Sequence, residues 1–243
     1  MFHFKHFSLY HDNSALKIST DAVLLAAVTP IDQVKTVLDI GCGCGVIAYC
    51  LAWKMQQINN TQRSYSQTIT GIDIDTPSIE DALKSKEIFP QRYFQKIHFH
   101  QQSIQEFYKD YSEKFDLIVS NPPFFVDALK PSTQQKNISK HNDTLPFEDL
   151  KNAVCQLLAP EGRFFMILPA NESERFEQIS QNQLFKFYQL LIQPTPSKPV
   201  NRIITGYRLL PASTVQTEQL CMRNTDNTLS HPYQQLTKDF LLG

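Results

Sequence analysis

Apolar and polar positions along this chain switch between the period of a strand and that of a helix. Thr36 to Ile40 is a short apolar run, and Val46 to Met55 is apolar with helical spacing. Glycines stand between them at every second position, Gly41, Gly43 and Gly45. That order predicts strand, tight loop, helix. It returns at Ile69 to Ile74, a strand followed by a helix from Pro77 through Glu87 with proline in its first turn. The polar stretch Gln56 to Gln67 reads as the loop between the two units. Lys96 to His100 and Phe115 to Ser120 are further strands, Pro146 to Leu158 a helix, Gly162 to Leu168 a strand, and Glu172 to Ser180 a helix. Phe185 to Ile192 and Arg202 to Leu210 flank a proline-rich loop, and strands joined without a helix pair antiparallel. His231 to Leu242 predicts a short closing helix. At the other end, alternating Phe2, Phe4 and Phe7 predict a short strand or hairpin. An apolar helix follows over Ala22 to Ala27, with Thr20 or Asp21 as its N-cap.

The glycine loop is where chemistry first shows. A loop without Cβ atoms takes positive φ and lets a ligand approach the backbone, and the helix behind it points free N–H groups into the same space. The spacing is Asp39-x-Gly41-x-Gly43-x-Gly45, unlike the Gly-x-Gly-x-x-Gly that holds a pyrophosphate, and no P-loop Lys-Ser/Thr follows. Asp39 is placed to fix the loop or to accept a ligand hydrogen bond. Asp73 ends the second strand, where an acidic residue accepts from ribose hydroxyls in nucleotide-binding α/β folds. Asp75 competes for that role but suits an N-cap better. The fourth strand delivers Asn121-Pro122-Pro123-Phe124 at its carboxyl end, where open α/β sheets bind ligands. A stiff turn with an amide at one end and an aromatic ring at the other makes a clamp. The polar stretch Lys130 to Thr144 reads as a mobile loop beside it.

Length and composition narrow the classes. The 243 residues suit one large domain or one domain with appendages, taken here as an extension over 1–30 and a domain over 31–243. The net charge of −1 gives no global attraction to nucleic acid, so any such contact needs a local basic patch. No apolar run reaches the ~18 residues of a membrane span, and the start lacks the pattern of a signal peptide. Five cysteines without paired spacing indicate neither a disulfide framework nor zinc, and fit a reducing cytoplasm. His3, His6 and His11 have poor spacing for a metal and read as solvated or RNA-facing; no metal is expected.

Asp-x-Gly-x-Gly-x-Gly resembles the first motif of the class I methyltransferases, which bind S-adenosylmethionine, and Asn-Pro-Pro-aromatic resembles the motif of those that methylate amide or exocyclic amino nitrogens. Phe2-His3-Phe4-Lys5-His6-Phe7, then Lys17-Ile18-Ser19-Thr20-Asp21-Ala22-Val23-Leu24-Leu25, and the ending Leu236-Thr237-Lys238-Asp239-Phe240 are similar to the bacterial tRNA1(Val) (adenine37-N6)-methyltransferases. Ser19 stands where that family has Gly. The resemblance implies an α/β, Rossmann-like fold: a mostly parallel seven-stranded sheet with an antiparallel last strand and helices on both faces. It implies a monomeric cytoplasmic enzyme with S-adenosylmethionine as cofactor and the anticodon loop of a tRNA as partner.

By the same resemblance Asn121, Pro122, Pro123 and Phe124 are catalytic, the first two by accepting the N6 hydrogens of adenine and Phe124 by stacking on the base. Asp21, Asp39, Gly41, Gly43, Gly45 and Asp73 bind the cofactor. The family usually closes its third strand with an acidic adenine contact; Ser103 stands there, beside Gln102, and either side chain can supply a hydrogen bond. Lys5, Lys17, Lys136, Lys140 and Arg202 are candidate phosphate contacts. A protein-glutamine or DNA-adenine methyltransferase with the same clamp is the alternative, and a non-catalytic cofactor- or RNA-binding protein the second. The intact clamp opposes the last, and the lack of a helical N-terminal domain opposes the glutamine enzymes.

Overall fold

The computed structural model describes residues 1–59, 67–89, 96–123 and 145–242. Among these residues the chain forms ten strands and seven helices. Strands β1 (Phe2–His3) and β2 (Ser8–Leu9) pair antiparallel, the expected hairpin. Helix α1 spans Thr20–Val28. Its N-cap is Ser19, one residue before the expected Thr20 or Asp21; the Ser19 hydroxyl accepts from Ala22 N at 3.2 Å. Small hydroxyl side chains in extended backbone cap well, and Ser19 is the one with that geometry.

The main unit then alternates strand and helix. Its elements are β3 (Thr36–Ile40), α2 (Val46–Asn59), β4 (Thr68–Asp73), α3 (Thr76–Ile88), β5 (Ile97–Gln101), α4 (Ile104–Asp110) and β6 (Phe115–Ser120). After these come α5 (Phe147–Leu157), β7 (Leu158–Pro169), α6 (Ala170–Ser180), β8 (Phe185–Gln193), β9 (Arg202–Arg208), β10 (Gln216–Cys221) and α7 (His231–Thr237). The larger sheet runs β10-β8-β9-β7-β6-β3-β4-β5. β9 pairs antiparallel with both β7 and β8, and the other pairings are parallel. This is the Rossmann-like sheet the sequence led us to expect, with an eighth strand added. β10 carries Gln216-Thr217-Glu218-Gln219, four exposed residues, so no apolar alternation announces it; backbone pairing to β8, with side-chain bonds from Tyr188 to Glu218 and from Gln189 to Thr217, makes it a strand. A polar edge of this kind discourages further pairing.

Both faces of the parallel strands are covered, which is why they read as unbroken apolar runs. Val37, Ile69, Leu117 and Val119 join α1 and α2 residues such as Leu24, Cys50 and Leu51 in one core. Leu38, Ile40, Ile72 and Ile118 join Phe107, Leu150, Leu157 and Phe176 in the other. Phe4, Phe7 and Leu9 of the amino-terminal hairpin belong to the first core.

The sheet reverses its order between β3 and β6, and crevices at such points receive ligands. The registers fix what lies there. Ile40 stands opposite Ser120 on one side and Ile72 on the other, and Asp73 stands opposite Gln101. The Ser120 hydroxyl donates to Ile40 O at 2.8 Å, locking two adjacent strand ends. Gly41, Asp73, Gln102 and Asn121 therefore leave the sheet side by side.

Phe99 of β5 wedges into this corner. A Cβ at Gly45 would lie 2.7 Å from the Phe99 ring, and so would one at Gly71. Gly45 also has φ +81°, whereas at Gly43, with φ +54°, an added Cβ meets nothing within 4 Å. Gly45→Ala should thus lose ~1–2 kcal/mol to the left-handed backbone and a further ~1–3 kcal/mol to overpacking. Gly43→Ala should lose only the first part. Denaturant unfolding of both variants checks this, and equal losses would contradict the wedge.

Candidate active site

A cavity of about 800 Å³ opens at the carboxyl edge of the sheet. Gly41, Gly43, Asp73, Gln102, Asn121 and Arg202 are among its lining residues. The glycine loop forms one wall. Gly41 N and Cys42 N both donate to Ile72 O, at 2.9 and 3.0 Å, so the loop folds over the end of β4. Added Cβ atoms at Gly41 and Gly43 would meet open space, as a cradle for a ligand requires.

Asp73 organises the wall. Its Oδ2 accepts from Gly43 N at 2.7 Å and its Oδ1 from Asp75 N at 2.9 Å. Each carboxylate oxygen keeps a further lone pair for a ligand hydroxyl. Asp75 is the N-cap of α3, accepting from Ser78 N at 3.0 Å. That separates the two candidates: Asp75 caps, and Asp73 holds the loop and lines the cavity.

Asp39 lies behind the loop. It is 0% exposed, and its Oδ2 accepts from Ala48 N at 3.1 Å in the first turn of α2. Its Oδ1 has no hydrogen-bond partner among the described residues. Of the two sequence readings, fixing the loop–helix junction is the one its position supports. Gly45 is likewise packed under Phe99 and does not line the cavity.

Ser103 and Gln102 both line the far end. The Ser103 hydroxyl accepts from Glu106 N at 3.3 Å and donates to Glu106 Oε2 at 2.9 Å. This capping pair, legible as Ser-x-x-Glu, commits the Ser103 hydroxyl to α4.

Asp21, read as a cofactor contact, and Arg202, read as an RNA contact, prove to be one unit. Arg202 Nε donates to Asp21 Oδ2 at 2.8 Å, and both residues line the cavity. A sequence separation of 181 hides the pair from any spacing argument. Lys17 also lines the cavity, with its ammonium donating to the carbonyls of His11 and Asp12. Lys5 lies elsewhere, donating to Lys238 O at 3.1 Å. His6 stacks on Trp53 at 4.7 Å, and the His3 ring pairs with Ser8 at 2.8 Å. Asn121, Pro122 and Pro123 form the opposite lip; Phe124, Lys136, Lys140 and the loop Lys130 to Thr144 lie outside the described residues.

A family profile described as "Methyltransferase domain" matches residues 31–216. The tRNA1(Val) (adenine(37)-N6)-methyltransferase of Bacteroides fragilis is 33% identical over 243 residues, 99% of this chain and 97% of that protein. The enzyme of the same name from Yersinia pseudotuberculosis is 32% identical, covering 100% of this chain and 92% of its own. The chain belongs to the tRNA1(Val) (adenine(37)-N6)-methyltransferase family. The fold is similar to the crystal structure of a predicted O-methyltransferase from Agrobacterium tumefaciens. The TM-score is 0.70 at 16% identity, covering 90% of this chain and 96% of that one.

Asp39 behind the cavity and Asp73 on its wall give this family member a testable electrostatic signature. Burial pushes the Asp39 carboxyl up to about 7, against the Ala48 N–H bond that favours its charge, and the Asp73 carboxylate raises it further. Burial also raises Asp73, offset by the Asp75 and Gly43 amides. A carboxyl raised on folding binds protons more tightly in the folded state. Its contribution to stability is complete below the ordinary carboxylate range and is lost as pH rises through about 7. Asp39→Asn removes that titration. The stability of wild type relative to the Asn variant should fall between about pH 5 and about pH 8. A constant difference in thermal midpoints across that range would show that Asp39 does not titrate there.

Asp73→Ala removes both the brace on Gly43 and an acceptor in the cavity. S-adenosylmethionine affinity should drop by ~1.5–3 kcal/mol, the value of a hydrogen bond to a charged group. Calorimetry returning the wild-type affinity would rule out a cofactor role for this residue.

Proposed function

We propose that this chain transfers a methyl group from S-adenosylmethionine to N6 of adenine 37 in tRNA1(Val). One observation carries the reading. The β3–β6 register sets Asn121 and Pro122 on the lip of the same cavity whose opposite wall is the glycine loop braced by Asp73. The residues present fit the cofactor: an open glycine cradle, a carboxylate for ribose hydroxyls, and Gln102 for the adenine edge. When bound, S-adenosylmethionine supplies a methyl group already activated by a sulfonium.

The chain's part is to position the acceptor. The lone pair on N6 of adenine is delocalised into the ring and is a poor nucleophile. Asn121 Oδ1 and the Pro122 carbonyl are both acceptors, suited to the two N6 hydrogens; holding them favours a geometry that frees the lone pair toward the methyl. Pro123 contributes no N–H and, with Pro122, stiffens the turn. Acceptors aimed at a nitrogen that gains positive charge also stabilise that charge, so no metal or strong base is required. The Arg202–Asp21 pair on the same cavity keeps a cation beside the entrance, where an RNA phosphate can reach it.

The substrate is an anticodon-loop adenine. An unpaired base avoids the few kcal/mol that flipping a duplex base costs, and single-stranded loops are where proteins read RNA bases. Five free thiols suit the reducing cytoplasm. Among the described residues no helix is long and apolar enough to cross a membrane.

Purified protein should transfer labelled methyl from S-adenosylmethionine to unmodified tRNA1(Val), with nucleoside mass spectrometry locating it on adenine 37. Asn121→Ala should cut turnover by about 100-fold, the scale of one lost transition-state contact, with cofactor affinity nearly unchanged. Wild-type turnover by that variant would defeat the clamp. Label on a Gly-Gly-Gln-containing protein, with none on tRNA, would assign the chain to glutamine methylation.

A further inference from the structure

The segment before α1 roofs the cavity. Ala15, Leu16, Lys17 and Ser19 all line it, and Leu16 is 62% exposed, an apolar side chain at the opening with little protein around it. A strap of this kind closes on a ligand only if something fixes its height above the floor. The fixture is on α3. Asp81, in the middle of that helix and 2% exposed, accepts four hydrogen bonds from two consecutive strap residues. Its Oδ2 takes Asn13 N at 2.8 Å, Ser14 N at 2.9 Å and the Ser14 hydroxyl at 2.8 Å; its Oδ1 takes Asn13 Nδ2 at 3.1 Å. Other α3 groups continue the seam. Tyr10 N donates to the Ser85 hydroxyl at 2.8 Å, Ala15 N donates to Asp75 Oδ2 at 3.3 Å, and the Lys84 ammonium sits 4.1 Å above the Tyr10 ring.

We propose that Asp81 is a positioning residue for the cofactor: by gripping Asn13 and Ser14 it holds residues 15–17 over the cavity, so cofactor affinity depends on a carboxylate that lines no part of that cavity. The proposal rests on reading the cavity as the S-adenosylmethionine site. Asp81 is suited to the task by charge and by burial. A carboxylate that receives backbone N–H groups at both Asn13 and Ser14 dictates the path of the chain, not only the place of a side chain. The strap carries Leu16 and Lys17 to the opening one turn of chain later. Asp75 ties both systems together, since it caps α3, receives Ala15 N, and donates its own N–H to Asp73. Strap, α3 and the loop-bracing carboxylate thus share one hydrogen-bonded frame.

Asp81→Asn keeps the shape but turns one acceptor oxygen into a donor facing donors. S-adenosylmethionine should bind about 10-fold more weakly by calorimetry, the scale of a lost charge-assisted bond. Turnover at saturating cofactor should stay within about twofold, because nothing at Asn121 moves. Amide hydrogen exchange should quicken at residues 13–17 and stay unchanged in β3 and β6. Ser14→Ala, which deletes one donor, should weaken cofactor binding by a smaller factor and serves if the Asn variant does not fold. A lowered melting temperature with wild-type cofactor affinity in these variants would make Asp81 a structural anchor only and overturn the proposal. Wild-type protein that binds no S-adenosylmethionine would overturn the reading of the cavity, and the proposal with it.

Discussion

The parallel pairing of β3 between β4 and β6 is the constraint on which the rest of the site depends. Hydrogen bonds between these strands set Ile40 level with Ile72 and Ser120, and three chain exits then fall on one line. A slip of one residue would turn every alternate side chain to the opposite face. Val37 and Leu38 belong to different cores, so each would land in the wrong one. The apolar burial on both faces thus protects the register, and the register places the chemistry. Phe99 tightens the same corner from β5, where only glycine at positions 45 and 71 lets its ring approach the backbone.

The carboxylates around the cavity divide their work according to how much water each keeps and what it accepts. Asp39 has lost its water and holds one amide of α2, so neutrality at its other oxygen is favoured. Asp73 is half-buried and braces Gly43 while still facing the cavity. Asp75 caps, and Asp81 is held below the usual carboxylate range because the bonds from Ser14 and Asn13 outweigh its burial. Four acidic residues in one corner would repel one another if all were solvent-facing anions. Backbone N–H groups of the loop, the strap and two helices, joined by the Ser14 and Asn13 side chains at Asp81, offset that repulsion by hydrogen bonding.

That division suits a methyl transfer in which the protein supplies little covalent chemistry. The acceptor nitrogen needs orientation and the donor needs a shaped, roofed space. On the proposed reading both come from a proline-stiffened lip after β6, a glycine wall after β3, and a strap sewn to α3. Arg202 arrives from β9, the antiparallel strand, and its pairing with Asp21 of α1 fastens the opposite rim.

The local chemistry was legible in the sequence because it is carried by neighbours. Asp-x-Gly-x-Gly-x-Gly between an apolar strand and an apolar helix, and Asn-Pro-Pro-Phe after another strand, are each confined to a few consecutive residues, and they pointed to the class I methyltransferases, while the segments Phe2–Phe7 and Lys17–Leu25 carried the closer resemblance. Even the Ser103–Glu106 capping pair stood in the sequence as Ser-x-x-Glu. What only the tertiary structure decided involves partners far apart in the chain or without an apolar signal. β10 is a polar edge strand whose one buried residue, Leu220, gives no apolar alternation. Asp21 and Arg202 were assigned to different ligands until the fold paired them. Asp39 looked able to face a ligand until the alternation of β3 buried it beneath α2. Asp81 sat unremarked among the polar residues of α3 until Asn13 and Ser14 came to rest on it. Motifs are written in consecutive residues, whereas long-range hydrogen bonds and burial depend on the register and packing that folding creates.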